Sequence, residues 1–113
     1  MKVVSIIGAR PQFIKAAVVS KALREGQGVE DFLVHTGQHF DDNMSAVFFD
    51  EMGIPEPNVN LGVSGGGHGA MTGSMLAEIE KILECETPDW ALVYGDTNST
   101  LSGALAAAKL NIP

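Results

Sequence analysis

Lys2-Val3-Val4-Ser5-Ile6-Ile7-Gly8-Ala9-Arg10-Pro11-Gln12 opens the chain. Residues 2–7 are rich in β-branched side chains and almost continuously apolar, as expected of a strand buried on both faces of a parallel sheet. Gly8 closes the run. Pro11 then fits the first turn of a helix, where its missing N–H costs nothing. Ile14, Ala17, Val18 and Ala22 recur at helical spacing and predict the apolar face of that helix, which Arg24-Glu25-Gly26 ends. A strand handing over to a helix through a short glycine turn is one βα unit.

The pattern repeats along the chain. Asp31-Phe32-Leu33-Val34-His35 predicts a second strand, and Thr36-Gly37-Gln38-His39-Phe40 a loop. Asp41 or Asp42 can cap a helix with Met44, Val47, Phe48 and Met52 on its face, stopped by Gly53-Ile54-Pro55. Asn58 to Leu61 reads as a short edge strand. Ser64 to Gly69 reads as a flexible glycine loop before a long helix with Met71, Met75, Ile79, Ile82 and Leu83 on one stripe. Pro88-Asp89 restarts the chain, and Trp90 to Tyr94 is a buried-type strand. Gly95-Asp96-Thr97-Asn98 turns into a last helix with Leu101, Ala104, Leu105 and Ala108 on its face and Asn111 as C-cap. Alternating βα units of this kind predict an α/β fold, an open, doubly wound parallel sheet. Ile112-Pro113 resembles entry into a further strand, so the chain is expected to be a fragment of a longer protein.

Composition narrows the function classes. The 113 residues are 45% hydrophobic and 19% charged, globular values with room for one domain. Seven Lys+Arg against 14 Asp+Glu give a net charge of −7. That argues against nucleic acid and against an anionic membrane surface as partners, and leaves open a small anionic ligand held by a few local cations. The single Cys85 excludes an internal disulfide and a Cys-based zinc site, and its place near the end of a helical pattern suggests packing. The three His match no zinc motif. The first apolar run is too short to span a membrane, which suits a cytoplasmic protein.

Open α/β sheets bind ligands outside the C-terminal ends of their strands. Three segments are expected to meet there: Gly8 to Gln12, Thr36 to His39, and Gly95 to Thr100. Arg10 and Lys15 stand at the start of the first helix, where the helix dipole disfavours cations. They read either as holders of an anion or as solvated rim residues. Asp96 is either the N-cap of the last helix or, if Thr97 or Asn98 caps it, a carboxylate left for chemistry. His39, beside Gln38, is a site residue or a bystander; His35 reads as structural, and His68 is ambiguous. Gly65-Gly66-Gly67-His68-Gly69-Ala70 fits a dinucleotide-binding pattern but follows no convincing strand, so a flexible loop or lid is the better reading.

Gly8-Ala9-Arg10-Pro11-Gln12 with Ile14-Lys15, then Thr36-Gly37-Gln38-His39, then Tyr94-Gly95-Asp96-Thr97-Asn98-Ser99-Thr100 resembles the non-hydrolysing UDP-N-acetylglucosamine 2-epimerases. The likeness covers the whole chain in order. It implies a Rossmann-like N-terminal half of a fold similar to the GT-B glycosyltransferases. Residues 1–113 would form most of the N-terminal domain, with the C-terminal domain absent from this chain. The commoner family form of the first loop is G-T-R-P-E. Ala9 and Gln12, with Phe40 to Met44, bring the chain closer to the branch acting on UDP-2,3-diacetamido-2,3-dideoxy-glucuronate. The resemblance implies inversion at carbon 2 of a UDP-sugar in polysaccharide biosynthesis, with Asp96 as an active-site carboxylate. It implies Arg10, Lys15, Gln38, His39 and Thr97 on the substrate, no cofactor or metal, and a homodimer in the full-length enzyme. A glycosyltransferase that passes the sugar to an acceptor and a non-catalytic nucleotide-sugar sensor are the alternatives.

Overall fold

The computed structural model describes residues 1–8, 10–26, 28–37, 57–63, 66–95 and 97–113, with the backbone alone for Arg10, Pro11 and Phe13. Among them are four strands: β1 (Lys2–Ile7), β2 (Glu30–His35), β3 (Val59–Asn60) and β4 (Trp90–Val93). All pair in parallel, in the order β3-β2-β1-β4. Helix α1 (Arg10–Glu25) joins β1 to β2, α2 (His68–Glu86) lies between β3 and β4, and α3 (Asn98–Lys109) follows β4. The helix expected from Asp41 or Asp42 to Met52 lies outside the described residues.

Register sorts the strand side chains onto two faces. Val4 stands opposite Phe32 and Ala91, and Ile6 opposite Val34 and Val93. Val4, Ile6 and Val34 pack against Met75, Ile79 and Leu83 of α2 and Ala106 and Ala107 of α3. Burying each larger side chain of this set contributes about 1.5–3 kcal/mol. On the other face Ile7 and Leu33 pack against Ala16 of α1, with Ala17 and Tyr94 alongside. The sheet is covered on both faces, as the expected doubly wound fold requires. The chain steps outward from β1 to β2 to β3 and then crosses back to β4, so the winding reverses between β1 and β4. Such a reversal opens a crevice at the C-terminal strand ends.

The buried faces of α1 and α3 differ from those the sequence suggested. On α1, Gln12, Ala16 and Ser20 are buried, whereas Ile14 is 49% and Val18 72% exposed and Ala22 is exposed too. On α3, Ser99, Ser102, Gly103, Ala106 and Ala107 are buried, and Leu101, Ala104, Leu105 and Ala108 face outward. On α3 the reason is closeness of approach. A Cβ on Gly103 would lie 2.8 Å from Ile6 Cδ1 and 2.9 Å from Val93 Cγ1, so α3 seats on the sheet only through small residues. Helix α2 keeps its expected stripe, with Met75, Ile79 and Leu83 buried at spacing four.

Four smaller corrections share local causes. Helix α2 begins at His68 with Gly67 as N-cap, so His68 and Gly69 belong to the helix and not to the expected glycine loop. Cys85 is exposed, because it sits about 200° around the helix from Leu83. Trp90 is 52% exposed and the rest of β4 only half-buried, because among the described strands β4 pairs with β1 alone. On its other side, the Ala91 N–H donates to the Pro113 carbonyl at 2.8 Å. The C-cap of α3 is Leu110, and Asn111 follows it in the left-handed conformation, φ 58°. The Asn111 and Ile112 N–H groups donate to Ala108 and Ala107 at 3.2 and 2.9 Å, a Schellman closure. No described helix is long and apolar enough to cross a membrane.

The close seat of α3 generates a stability test. Gly103→Val should destabilise the fold by about 1–3 kcal/mol, the cost of forcing extra methyl groups into a packed core. Urea unfolding at equilibrium measures it, and an unchanged midpoint would refute the close packing.

Candidate functional site

Three turns leave the C-terminal edge of the sheet and touch one another. After β1, Gly8 passes directly beneath α3: a Cβ there would lie 2.2 Å from Ser99 Oγ and 2.5 Å from Thr36 Oγ1. After β2, Thr36 is fully buried, its N–H donates to Ile7 O at 2.9 Å, and its hydroxyl bonds that of Ser99 at 2.8 Å. Gly37 follows at φ 90°, with the Gly62–Val63 backbone where a Cβ would stand 2.9 Å away. Glycine fits that conformation without strain and leaves room for the neighbouring chain. After β4, Gly95 turns at φ 72° into the N-terminus of α3. The expected meeting of the three loops is present for their described residues.

Gln12 connects the first turn to the third. It is 4% exposed. Its Oε1 accepts from the Gly8 N–H at 2.8 Å, and its Nε2 donates to Tyr94 O at 2.7 Å and to Thr97 Oγ1 at 3.0 Å. The partners fix the orientation of the amide, since the Gly8 N–H only donates and the Tyr94 carbonyl only accepts. Thr97 is the N-cap of α3. Its Oγ1 accepts from the Thr100 N–H at 3.4 Å, while Thr100 Oγ1 accepts from the Thr97 N–H at 3.3 Å and also donates to Tyr94 O. Of the two readings of Asp96, the cap therefore falls to its neighbour Thr97.

The helix ends set the electrostatics. Neither α1, α2 nor α3 has an acidic residue in its first turn, in a chain with 14 Asp+Glu. Asn98 Nδ2 lies 3.0 Å from His68 Nδ1, which brings the N-termini of α2 and α3 together. Uncompensated helix N-termini favour a negative charge nearby. Tyr94 carries a phenol pushed up to about 12 by burial and then by the charge of Asp31, so it stays protonated at neutral pH. Asp31 itself accepts from Ser5 Oγ at 3.0 Å and lies 3.6 Å from Arg24 Nε, beneath α1.

The sequence candidates divide unevenly. Arg10 opens α1, and Lys15 is exposed one turn later. Thr97 lies in the turn network. Gln38, His39 and Asp96 lie outside the described residues, as does the side chain of Arg10. His35 is fully buried, its Nδ1 accepts from the Gly37 N–H at 2.7 Å, and burial pushes its imidazole down to about 4. It is structural, as its position at the strand end suggested. Sequence reading missed Gln12, Thr36, Ser99 and Thr100 as members of the network. The available signal was Gly8 followed four residues later by an amide, a spacing that lets a first-turn side chain reach back to the turn's own N–H.

The sequence profile of the family described as UDP-N-acetylglucosamine 2-epimerase matches residues 21–113. The chain is 62% identical over 113 residues to UDP-2,3-diacetamido-2,3-dideoxy-D-glucuronate 2-epimerase of Pseudomonas aeruginosa, covering all of this chain and 32% of that protein. It is 59% identical to a UDP-N-acetylglucosamine 2-epimerase homolog of Methanococcus maripaludis, over 99% of this chain and 31% of that one. The crystal structure of the Methanocaldococcus jannaschii UDP-GlcNAc 2-epimerase in complex with UDP-GlcNAc and UDP superposes with a TM-score of 0.92. Its identity is 46%, over 99% of this chain and 31% of that chain. The Neisseria meningitidis enzyme bound to UDP-GlcNAc gives a TM-score of 0.90 at 29% identity, over 100% of this chain and 30% of that chain. The chain thus spans about a third of the length of the relatives it matches.

His35 yields a pH test. Its pKa is depressed on folding from 6.5 to about 4, so the unfolded state binds more protons between those values. The stability this residue supports is complete above pH 6.5 and is lost as the pH falls toward 4, by about 3 kcal/mol in all. Urea unfolding of wild type and His35→Gln across pH 4–7 should show the difference in stability between them shrinking toward the acid end. A constant difference would refute the assignment.

Proposed function

This chain belongs to the UDP-N-acetylglucosamine 2-epimerase family, and on that premise we propose that it forms most of the N-terminal, nucleotide-sugar-binding domain of an enzyme that inverts carbon 2 of a UDP-N-acetylated sugar. The observation that carries the reading is the joining of the turns after β1, β2 and β4 at the point where the winding of the sheet reverses. The positive ends of α1, α2 and α3, without acidic residues in their first turns, support a diphosphate as the ligand. Arg10 and Lys15, at the start of α1, contact it. Gln38, His39 and Thr97 complete the substrate side. The likeness to the Pseudomonas aeruginosa enzyme, with Ala9 and Gln12 in the first loop, supports a UDP-diacetamido-uronate as the sugar.

The chemistry follows from carbon 2 itself. No carbonyl stands beside it, so its proton is barely acidic. As UDP leaves carbon 1, positive charge grows at the anomeric centre and the adjacent C–H bond becomes easier to break. Elimination gives a glycal and UDP; re-addition with the proton delivered to the opposite face gives the epimer. Asp96, next to the cap residue, acts in the proton-transfer steps, while the cations and the helix N-terminus stabilise the departing diphosphate. The whole enzyme is read as a cytoplasmic homodimer that works in polysaccharide biosynthesis and needs no cofactor.

Two measurements on the full-length protein test this. Arg10→Ala should weaken UDP binding by about 1.5–3 kcal/mol, the range for a hydrogen bond to a charged group, and Lys15→Ala should act in the same direction. Calorimetric UDP affinity unchanged by both substitutions would overturn the anion site. Asp96→Asn should lower kcat by roughly 100-fold or more and change stability by less than about 1 kcal/mol, because Thr97 carries the cap. Near-normal turnover in the folded variant would remove Asp96 from the chemistry.

A further inference from the structure

We infer that Gln12 is a positioning residue for the turn after β4, the buried amide that holds Tyr94 and Thr97, the residues on either side of Gly95 and Asp96 in the sequence. The inference rests on the reading of Asp96 given above. Gln12 is 4% exposed. Its Nε2 reaches Tyr94 O at 2.7 Å and Thr97 Oγ1 at 3.0 Å, one contact on each side of the Gly95-Asp96 pair. Its Oε1 is anchored by the Gly8 N–H at 2.8 Å. One planar group therefore ties both ends of the turn to the end of β1, the most buried strand of the sheet.

The residue type matters. A carboxamide supplies an acceptor for Gly8 and donors for Tyr94 and Thr97 at once. An ionised glutamate at this position would keep the acceptor and have no proton for the Tyr94 carbonyl. Thr100 Oγ1 also donates to Tyr94 O, and the cap on α3 is formed by Thr97 and Thr100. Loss of the amide thus leaves a folded turn that is less closely fixed. A misplacement of about 1 Å at a reacting group can cost on the order of 100-fold in rate.

The test uses the full-length protein and the UDP-sugar epimerisation assay. Gln12→Met keeps length and volume and removes the amide contacts. It should lower kcat at least tenfold while UDP affinity stays within threefold, and amide hydrogen exchange of residues 95–98 should quicken. Ser5→Ala, which removes a buried hydrogen bond to Asp31 on the α1 face, should lower Tm and leave kcat unchanged. Wild-type kcat in Gln12→Met, with Asp96→Asn inactive, overturns this inference alone. Wild-type kcat in Asp96→Asn overturns the reading of Asp96 and this inference with it.

Discussion

Gly8 has no side chain, and the site can form because of it. The hydroxyls of Thr36 and Ser99 meet at 2.8 Å across the space that its Cβ would fill. That contact sets how near α3 stands to the end of β1, and hence how near the turn after β4 stands to the turn after β1. The reversal of winding between β1 and β4 provides a crevice in any sheet of this order. Here the turns can stand this near one another because the residue between Thr36 and Ser99 carries no Cβ.

Beside Gly8 the described side chains of Gln12, Thr97 and Thr100 bond to one another and to the backbone next to them. Thr97 accepts from the Thr100 N–H, Thr100 accepts from the Thr97 N–H, and Gln12 and Thr100 both donate to the Tyr94 carbonyl, within one network. Such a network, once complete, resists rearrangement, because each member broken out of it leaves a buried polar group unpaired. The opposite edge of the sheet is held differently. There Lys2 bonds Glu86 at 2.6 Å, which raises the lysine and lowers the carboxyl from their ordinary pKa values, and the Lys2 N–H donates to Asp89. That edge carries charge, whereas the network of Gln12, Thr97 and Thr100 is built from neutral hydroxyls, an amide and backbone.

Much of the fold was legible because strands and helices announce themselves by period. The runs at 2–7, 31–35 and 90–93 and the Met75-Ile79-Leu83 stripe are in place in the structure. What misled was the assumption that the largest apolar residues of a helix face inward. Ile14 and Val18 on α1 and Leu101 and Leu105 on α3 are exposed, and at Gly103 α3 approaches the sheet too closely for a larger side chain. The inward stripes, Gln12-Ala16-Ser20 and Ser99-Gly103-Ala106, carry little hydrophobic signal, so periodicity passes over them. The site was legible in outline, as three loops at strand ends. Its connecting residue was legible only on its near side, where Gly8 lies four residues before Gln12; the partners on its far side are a backbone carbonyl 82 positions away and a hydroxyl 85 positions away. That Thr97 and not Asp96 caps α3 is likewise a matter of backbone dihedrals, which both residue types can adopt.

The small-residue faces also invert the usual map of tolerance to substitution. On most amphipathic helices leucine is the residue least open to change and alanine the most. Along α3 the order runs the other way. A library of single substitutions would find Leu101 and Leu105 permissive to polar replacements, and Ser99, Gly103, Ala106 and Ala107 intolerant of anything larger. A pattern of fixed glycine, serine and alanine between variable leucines in a set of diverged sequences would then be the trace of a helix seated at close range on a sheet, and it would not point to a loop, a linker or a membrane segment.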